Sequence, residues 1–282
     1  MSPGTGGANP NMSSSDGLVK RPDGAEIHWE EWGEGPPVAV IPLTLWSYPG
    51  VYGRLIADLA RDHRVIVADP RGCGRSSRRG PYDMETDAGD LEAVLEAVGG
   101  GVLTIVVGDG LNRAIRVSAA RPDLIPTILA IAPAPAAVLP RSELVGTGAL
   151  AGSDSVVDMV FRMLETQPRA ALRNLIATVN PDLDEEQLRE RLDAVADYLT
   201  PEGAYERAQV WLEDDVRDQV RSVGGRLSIL HGGADPMLGG TLAGRVTELF
   251  PDAHVMEMED GPVSRPELTA AQVRRLTGTA PT

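Results

Sequence analysis

The chain is short of the residues on which many mechanisms depend. Among its 282 residues there is one cysteine, Cys73, which excludes an intrachain disulfide framework and a cysteine-rich zinc site. Histidine occurs four times, as His28, His63, His231 and His254, so a histidine-dependent reaction has few places to occur. Lysine occurs once, as Lys20, and every other basic side chain is arginine. No apolar run reaches the roughly eighteen residues that would cross a bilayer. Basic residues number 26 against 41 acidic ones, a formal net charge of −15, which argues against nucleic acid or an anionic membrane surface as partner. The first seventeen residues are small and polar, without the basic and apolar regions of a signal peptide. They read as a disordered tail over residues 1–17, and the expected compartment is the cytoplasm.

What remains is a globular composition, 42% hydrophobic and 24% charged, able to bury a sizeable core. Its arginine, alanine, glycine and valine usage suits a high-GC bacterial genome. Val38–Pro42, Val65–Asp69, Leu103–Val107, Ile128–Ala132 and Leu227–His231 are continuous apolar runs of strand length. Such runs suit the interior of a parallel sheet covered on both faces. Ala25–Trp32 alternates, as an outer antiparallel strand with one exposed face would, and His254–Met258 reads as a last strand. Helical segments are expected at Tyr52–Ala60, Thr86–Val98, Asn112–Ala120, Leu242–Phe250 and Leu268–Leu276. The alternation predicts an α/β fold with a doubly wound, mostly parallel sheet. Only helical patterns interrupt it, at Val156–Glu165, Ala170–Val179, Glu185–Tyr198 and Tyr205–Val220. Residues 137–225 therefore read as a helical lid inserted into a core formed by 18–136 and 226–282. Asp184 with Gln187 supplies the start signal of one lid helix.

Asp69-Pro-Arg-Gly-Cys-Gly-Arg-Ser76 has the form D-x-x-G-x-G-x-S directly after an apolar strand. Asp90-Leu91 in a helix, Arg121-Pro122-Asp123, His231-Gly-Gly-Ala-Asp235 and Phe250-Pro-Asp-Ala-His254 follow in order. Together these motifs, over roughly residues 20 to 276, resemble the α/β-hydrolases. The resemblance implies that fold, with a nucleophile on a sharp G-x-S-x-G turn and the acid and histidine following in chain order.

Against that pattern the turn reads Val107-Gly108-Asp109-Gly110-Leu111, which places Gly108 where the family's serine stands. The loop after the last strand reads Glu259-Asp-Gly-Pro262-Val263, so Pro262 or Val263 stands at the histidine position. Of the triad, Asp235 remains, and the family's H-G oxyanion loop has become Pro42-Leu43-Thr44-Leu45-Trp46. Loss of a triad on which an enzyme depends costs on the order of 10⁶ in turnover. Asp109 as a shifted nucleophile would still need a histidine to activate water. As a helix-capping or pocket residue, or a lone general base with a raised pKa, it needs none. The expected catalytic candidates are thus Asp109 and Asp235, with Asp235 also readable as an inherited turn cap.

The pocket candidates are Leu43, Thr44, Trp46 and Tyr48 in the altered loop, Arg113 after the turn, Met237, and Trp211 in the lid. Arg113 could bind a ligand carboxylate or satisfy an acid of the lid. Met159, Phe161, Met163, Tyr198 and Tyr205 line a pocket or pack the lid core. The four histidines and Cys73 take structural roles by default. No cofactor and no metal are expected, and a homodimer is left open. The leading expectation is an enzyme of cyclase, isomerase or lyase type acting on a hydrophobic small molecule of secondary metabolism. The alternatives are a binding protein, as in plant hormone receptors of this fold, and a hydrolase with a base recruited from the lid.

Overall fold

The computed structural model describes residues 14–42, 52–107, 110–131, 133, 163, 165–179, 183–199, 206–207, 209–211, 213–232, 248–258 and 265–279. Eight strands form one sheet: β1 (Ser14–Lys20), β2 (Glu26–Trp32), β3 (Pro37–Ile41), β4 (Arg64–Ala68), β5 (Leu103–Val107), β6 (Thr127–Ile131), β7 (Leu227–Gly232) and β8 (His254–Met258). The order across the sheet is β1-β2-β4-β3-β5-β6-β7-β8. The pairs β1–β2 and β2–β4 are antiparallel, and every other pair is parallel. The doubly wound, mostly parallel sheet expected from the apolar runs is thereby observed. All five residues of β5 are buried, as a continuous apolar strand at the centre of a covered sheet must be.

Two helical layers cover the sheet. On one face lie α1 (Gly53–Leu59) and the last helix, which contact each other and enclose Val40, Val67, Ile105 and Val273. On the other lie α2 (Met84–Ala97) and α3 (Gly110–Ala120), around Ile66, Leu95, Val106 and Ile115. Between β6 and β7 the described helices are α4 (Pro168–Val179), α5 (Glu185–Tyr198) and α6 (Arg217–Val223). The last helix is α7 (Pro266–Thr277). Helix α5 starts with the capping box anticipated at Asp184 and Gln187, each side chain bonded to the other's backbone N–H. Leu188, Leu192 and Val195 fall on one face of α5 and join α4's Ala171, Leu172 and Ile176 in the core.

Three boundaries differ from the sequence reading. Strand β1 begins inside the expected tail, because residues 14–17 pair with β2 and the Trp29 indole packs directly over Gly17. The helix expected over Tyr205–Val220 is broken at 213–216, where the Asp215 carboxylate accepts from the Arg217 N–H and starts α6 instead. Helix α6 also lies within the span read as lid, yet it contacts α3 and buries Val220 and Val223 beside the sheet. The layer covering the core therefore begins before residue 226.

Candidate functional site

Parallel strands present their carboxyl ends at one edge of the sheet, where ligands of open α/β folds bind. Here that edge is built by Ile41 at the end of β3 and Pro42 after it, Asp69-Pro70-Arg71 after β4, Val107 at the end of β5 and Gly110 at the start of α3. Helix α3 packs very close to β3. A Cβ on Gly110 would sit 2.9 Å from the Ile41 carbonyl oxygen and 3.2 Å from that of Pro42. Only a glycine lets the helix after the family's nucleophile turn approach so closely.

One turn further, Arg113 is buried and its Nη2 donates to the Pro42 carbonyl at 2.9 Å. It lines a cavity of about 40 Å³ at the ends of β3 and β4, together with Ile41, Asp69, Arg71 and Leu91. Among the described residues no acid of the span read as lid lies within ion-pair distance of Arg113. Its neighbours do reach one: Asn112 and Arg116, both on α3, bond the two carboxylate oxygens of Asp214. Trp211, expected in the pocket, packs half-buried against the large core cluster, its indole N–H without a hydrogen-bond partner among the described residues. Met163 likewise packs against that cluster.

The glycine turn after β4 works as a joint rather than a reactive centre. Asp69 accepts from His28 Nδ1 at 2.8 Å, from the Tyr198 hydroxyl at 2.7 Å and from the Arg75 N–H at 2.9 Å. Burial, reinforced by the Asp69 charge, pushes the Tyr198 phenol well above its ordinary pKa, so it stays a neutral donor. Gly74 closes the turn at φ +49°, and a Cβ there would strike both Asp69 and Tyr198. The Gly74 N–H donates to the Tyr198 carbonyl at 2.8 Å, and Cys73, fully buried, bridges to Leu199. Arg71 grips Asp90 with Nε and Nη2 at 2.8 and 2.9 Å and reaches Asp23 with Nη1. Arg207, also fully buried, donates to the Arg71 carbonyl and to Asp87. Thus the end of α5 and the segment carrying Arg207 both bond to this turn, and Arg207 reaches α2 at Asp87 as well. Sequence reading noted the motif as a family signature. It missed the partners, because contacts 129 and 136 residues apart leave no local period.

All four histidines lie among the described residues. His28 stands on β2 beside the end of β4, held by Asp69, with its Nε2 3.5 Å from Asp16. His63 precedes β4 at the opposite, amino-end edge, bonded to Asp62 and to Thr277 Oγ1 at 2.9 Å. His254 opens β8 at that same far edge. His231 is buried near the carboxyl end of β7. The structural roles expected for His28 and His63 are therefore met by specific partners. Leu43, Thr44, Trp46, Tyr48, Gly108, Asp109, Asp235, Met237, Pro262 and Val263, like Met159, Phe161 and Tyr205, lie outside the described residues. Among the described residues no group of three histidine, cysteine or acidic side chains could hold a metal ion. Nor is any helix among them long and apolar enough to cross a membrane.

Comparison with known proteins places this architecture. The family described as alpha/beta hydrolase fold matches residues 41–109, which run from the end of β3 through the glycine turn to the residues after β5. A non-heme haloperoxidase of Rhodococcus erythropolis is 35% identical over 83 residues, 29% of this chain and 30% of that protein's length. An esterase from Exiguobacterium antarcticum superposes with a TM-score of 0.74 at 17% identity, covering 93% of this chain and 98% of the other. A bromoperoxidase from Bacillus anthracis does so with a TM-score of 0.70 at 21% identity, covering 93% and 99%. The strand order, the glycine turn and these full-length superpositions together show that the chain has the α/β-hydrolase fold.

Proposed function

We propose that this chain is an α/β-hydrolase-fold enzyme that converts a hydrophobic small molecule without Ser-His-Asp catalysis, by a cyclisation, isomerisation or elimination. The observation that supports the reading is the placement of the four histidines. A serine or aspartate nucleophile on the turn after β5 needs a base that can take a proton or activate water. His28 and His63 are committed to Asp69 and to Asp62 with Thr277, and His254 is at the far edge of the sheet. Only His231 lies on a parallel strand near its carboxyl end, buried in β7 before the family's acid position. Gly108 at the nucleophile position and Pro262 or Val263 at the histidine position point the same way. Chemistry of the proposed kind needs orientation and one acid or base. Orientation can supply several kcal/mol, about 7–11 at best, and Asp109 is the nearest candidate base in sequence.

The test combines a fluorophosphonate probe with a panel of aryl esters and lactones. Neither covalent labelling nor ester turnover is expected, and labelling at any serine would overturn the reading. Lipophilic material extracted from the purified protein is then returned to fresh enzyme and followed by mass spectrometry. Conversion supports the enzyme, whereas release of unchanged ligand would favour a binding protein. Asp109→Asn is expected to abolish conversion.

A further inference from the structure

Among the described residues Arg113 differs from the other buried arginines, Arg71 and Arg207, in having no acid within ion-pair distance. Arg71 holds Asp90 and Asp23, and Arg207 holds Asp87, while the half-buried Arg116 of α3 holds Asp214. Arg113 is 3% exposed, and among the described residues its Nε has no hydrogen-bond partner and its side chain bonds to the neutral Pro42 carbonyl. No carboxylate lies within ion-pair distance of it among the described residues. A guanidinium withdrawn from water without a counter-charge is unfavourable, and the arrangement becomes favourable when an anion arrives.

The cavity beside it has the size and polarity for one. Its volume of about 40 Å³ exceeds the roughly 10–15 Å³ that a single water needs and suits a carboxylate group. Ile41, Leu91, Val94 and Leu95 supply apolar walls, which strengthen a charge-assisted hydrogen bond. Asp69, Asp87 and Asp90 also line it, each already bonded to a donor or cation of its own. Their negative charge opposes a doubly charged anion such as HPO₄²⁻ more than a carboxylate, whose single charge Arg113 matches.

We infer that Arg113 and this cavity bind the carboxylate of a small organic acid, the Arg113 Nε–H donating to one carboxylate oxygen. The inference rests on the proposed use of the strand-end pocket, and it assigns that pocket's ligand a carboxylate. Binding is read without catalysis, so its failure leaves the serine-probe result standing, and the reverse. The experiment titrates the full chain with ¹³C-formate and with acetate at constant ionic strength, observing ligand line broadening and saturation transfer by NMR. Saturable binding is expected for both, with inorganic phosphate failing to compete. Arg113→Gln should weaken formate binding at least tenfold, with folding checked by circular dichroism. Ala68→Leu, which keeps Arg113 and fills the cavity from the end of β4, should block binding too and decides the matter if Arg113→Gln does not fold. Absence of saturable binding to the native chain, retention of binding in a folded Arg113→Gln or in Ala68→Leu, or equal competition by phosphate would overturn the assignment.

Discussion

The Tyr198 hydroxyl donates to Asp69 Oδ1 at 2.7 Å, joining the last residue of α5 to the turn after β4. Asp69 is buried, and a hydrogen bond to a charged group contributes about 1.5–3 kcal/mol. Tyr198→Phe removes the donor and leaves the carboxylate with His28 and the Arg75 N–H. Urea unfolding near neutral pH should show a loss of about that size. The pH dependence has a definite sign. An unfolded tyrosine ionises at about pH 10, while the folded Tyr198 pKa is raised by burial and by the Asp69 charge. Tyr198 thus contributes stability below about pH 10 that falls away as the pH rises beyond it. The difference between the native chain and Tyr198→Phe should narrow in alkaline solution, and a constant or widening gap would contradict the buried pairing.

Gly74 makes that contact geometrically available. Its φ of +49° is a left-handed conformation that costs side-chain-bearing residues about 1–2 kcal/mol. A Cβ would also lie 2.7 Å from the Tyr198 ring. Gly74→Ala should therefore destabilise by more than the conformational term, about 2–4 kcal/mol by thermal or denaturant unfolding. In the Tyr198→Ala background the ring's share of the steric cost is relieved while the clash with Asp69 remains, so the two substitutions should still add to less than their sum. Strict additivity would place the cost in the backbone and not in the α5 joint.

Most of the sheet is legible in the sequence because β-branched apolar runs such as Leu103–Val107 can be satisfied only by burial on both faces. The start of α5 is legible for a local reason too, since Asp184 and Gln187 are three residues apart. Strand β1, SSDGLVK, carries no such signal: Leu18 is more than half exposed, and the strand exists through pairing with β2. The site divides in the same way. Arg113 is visible as an unusual cation after the turn, but that no acid pairs with it among the described residues emerges only when Asn112 and Arg116 are seen to take Asp214. The joint at Asp69, Arg71 and Arg207 is a set of long-range side-chain pairings, which a one-dimensional pattern does not encode.

Asp23 gives the same joint an acid-side signature. The hydrogen bond from Arg71, aided by the Ala25 N–H at 3.0 Å, lowers its pKa to about 2. A carboxylate depressed in this way contributes stability above its unfolded pKa of about 3.9 and loses it as the pH falls toward 2. Carboxyl-carbon NMR should find the Asp23 midpoint near pH 2. Asp23→Asn should flatten that part of the acid unfolding profile. A midpoint near 4 would show that Arg71 does not hold Asp23 in solution.

Arg207 and Asp87 form an ion pair in which both side chains are almost wholly buried, 0% and 2% exposed. Such a pair contributes little net stability compared with apolar replacements, because desolvation offsets most of the attraction. Removing one member is another matter: Arg207→Met takes the cation away from the buried Asp87 carboxylate and the Arg207 donor away from the Arg71 carbonyl. The expected loss is about 3–5 kcal/mol. Adding Asp87→Asn removes the buried charge that Arg207 balanced, so the double variant should be more stable than Arg207→Met. Its remaining deficit reports the carbonyl bond and the stacking of Arg207 over the Tyr82 ring at 5.9 Å. Denaturant unfolding of the four-member cycle measures both parts. If Arg207→Met matches the native chain in stability, or if Asp87→Asn deepens the loss, the pair is not the buried anchor of the segment that carries Arg207.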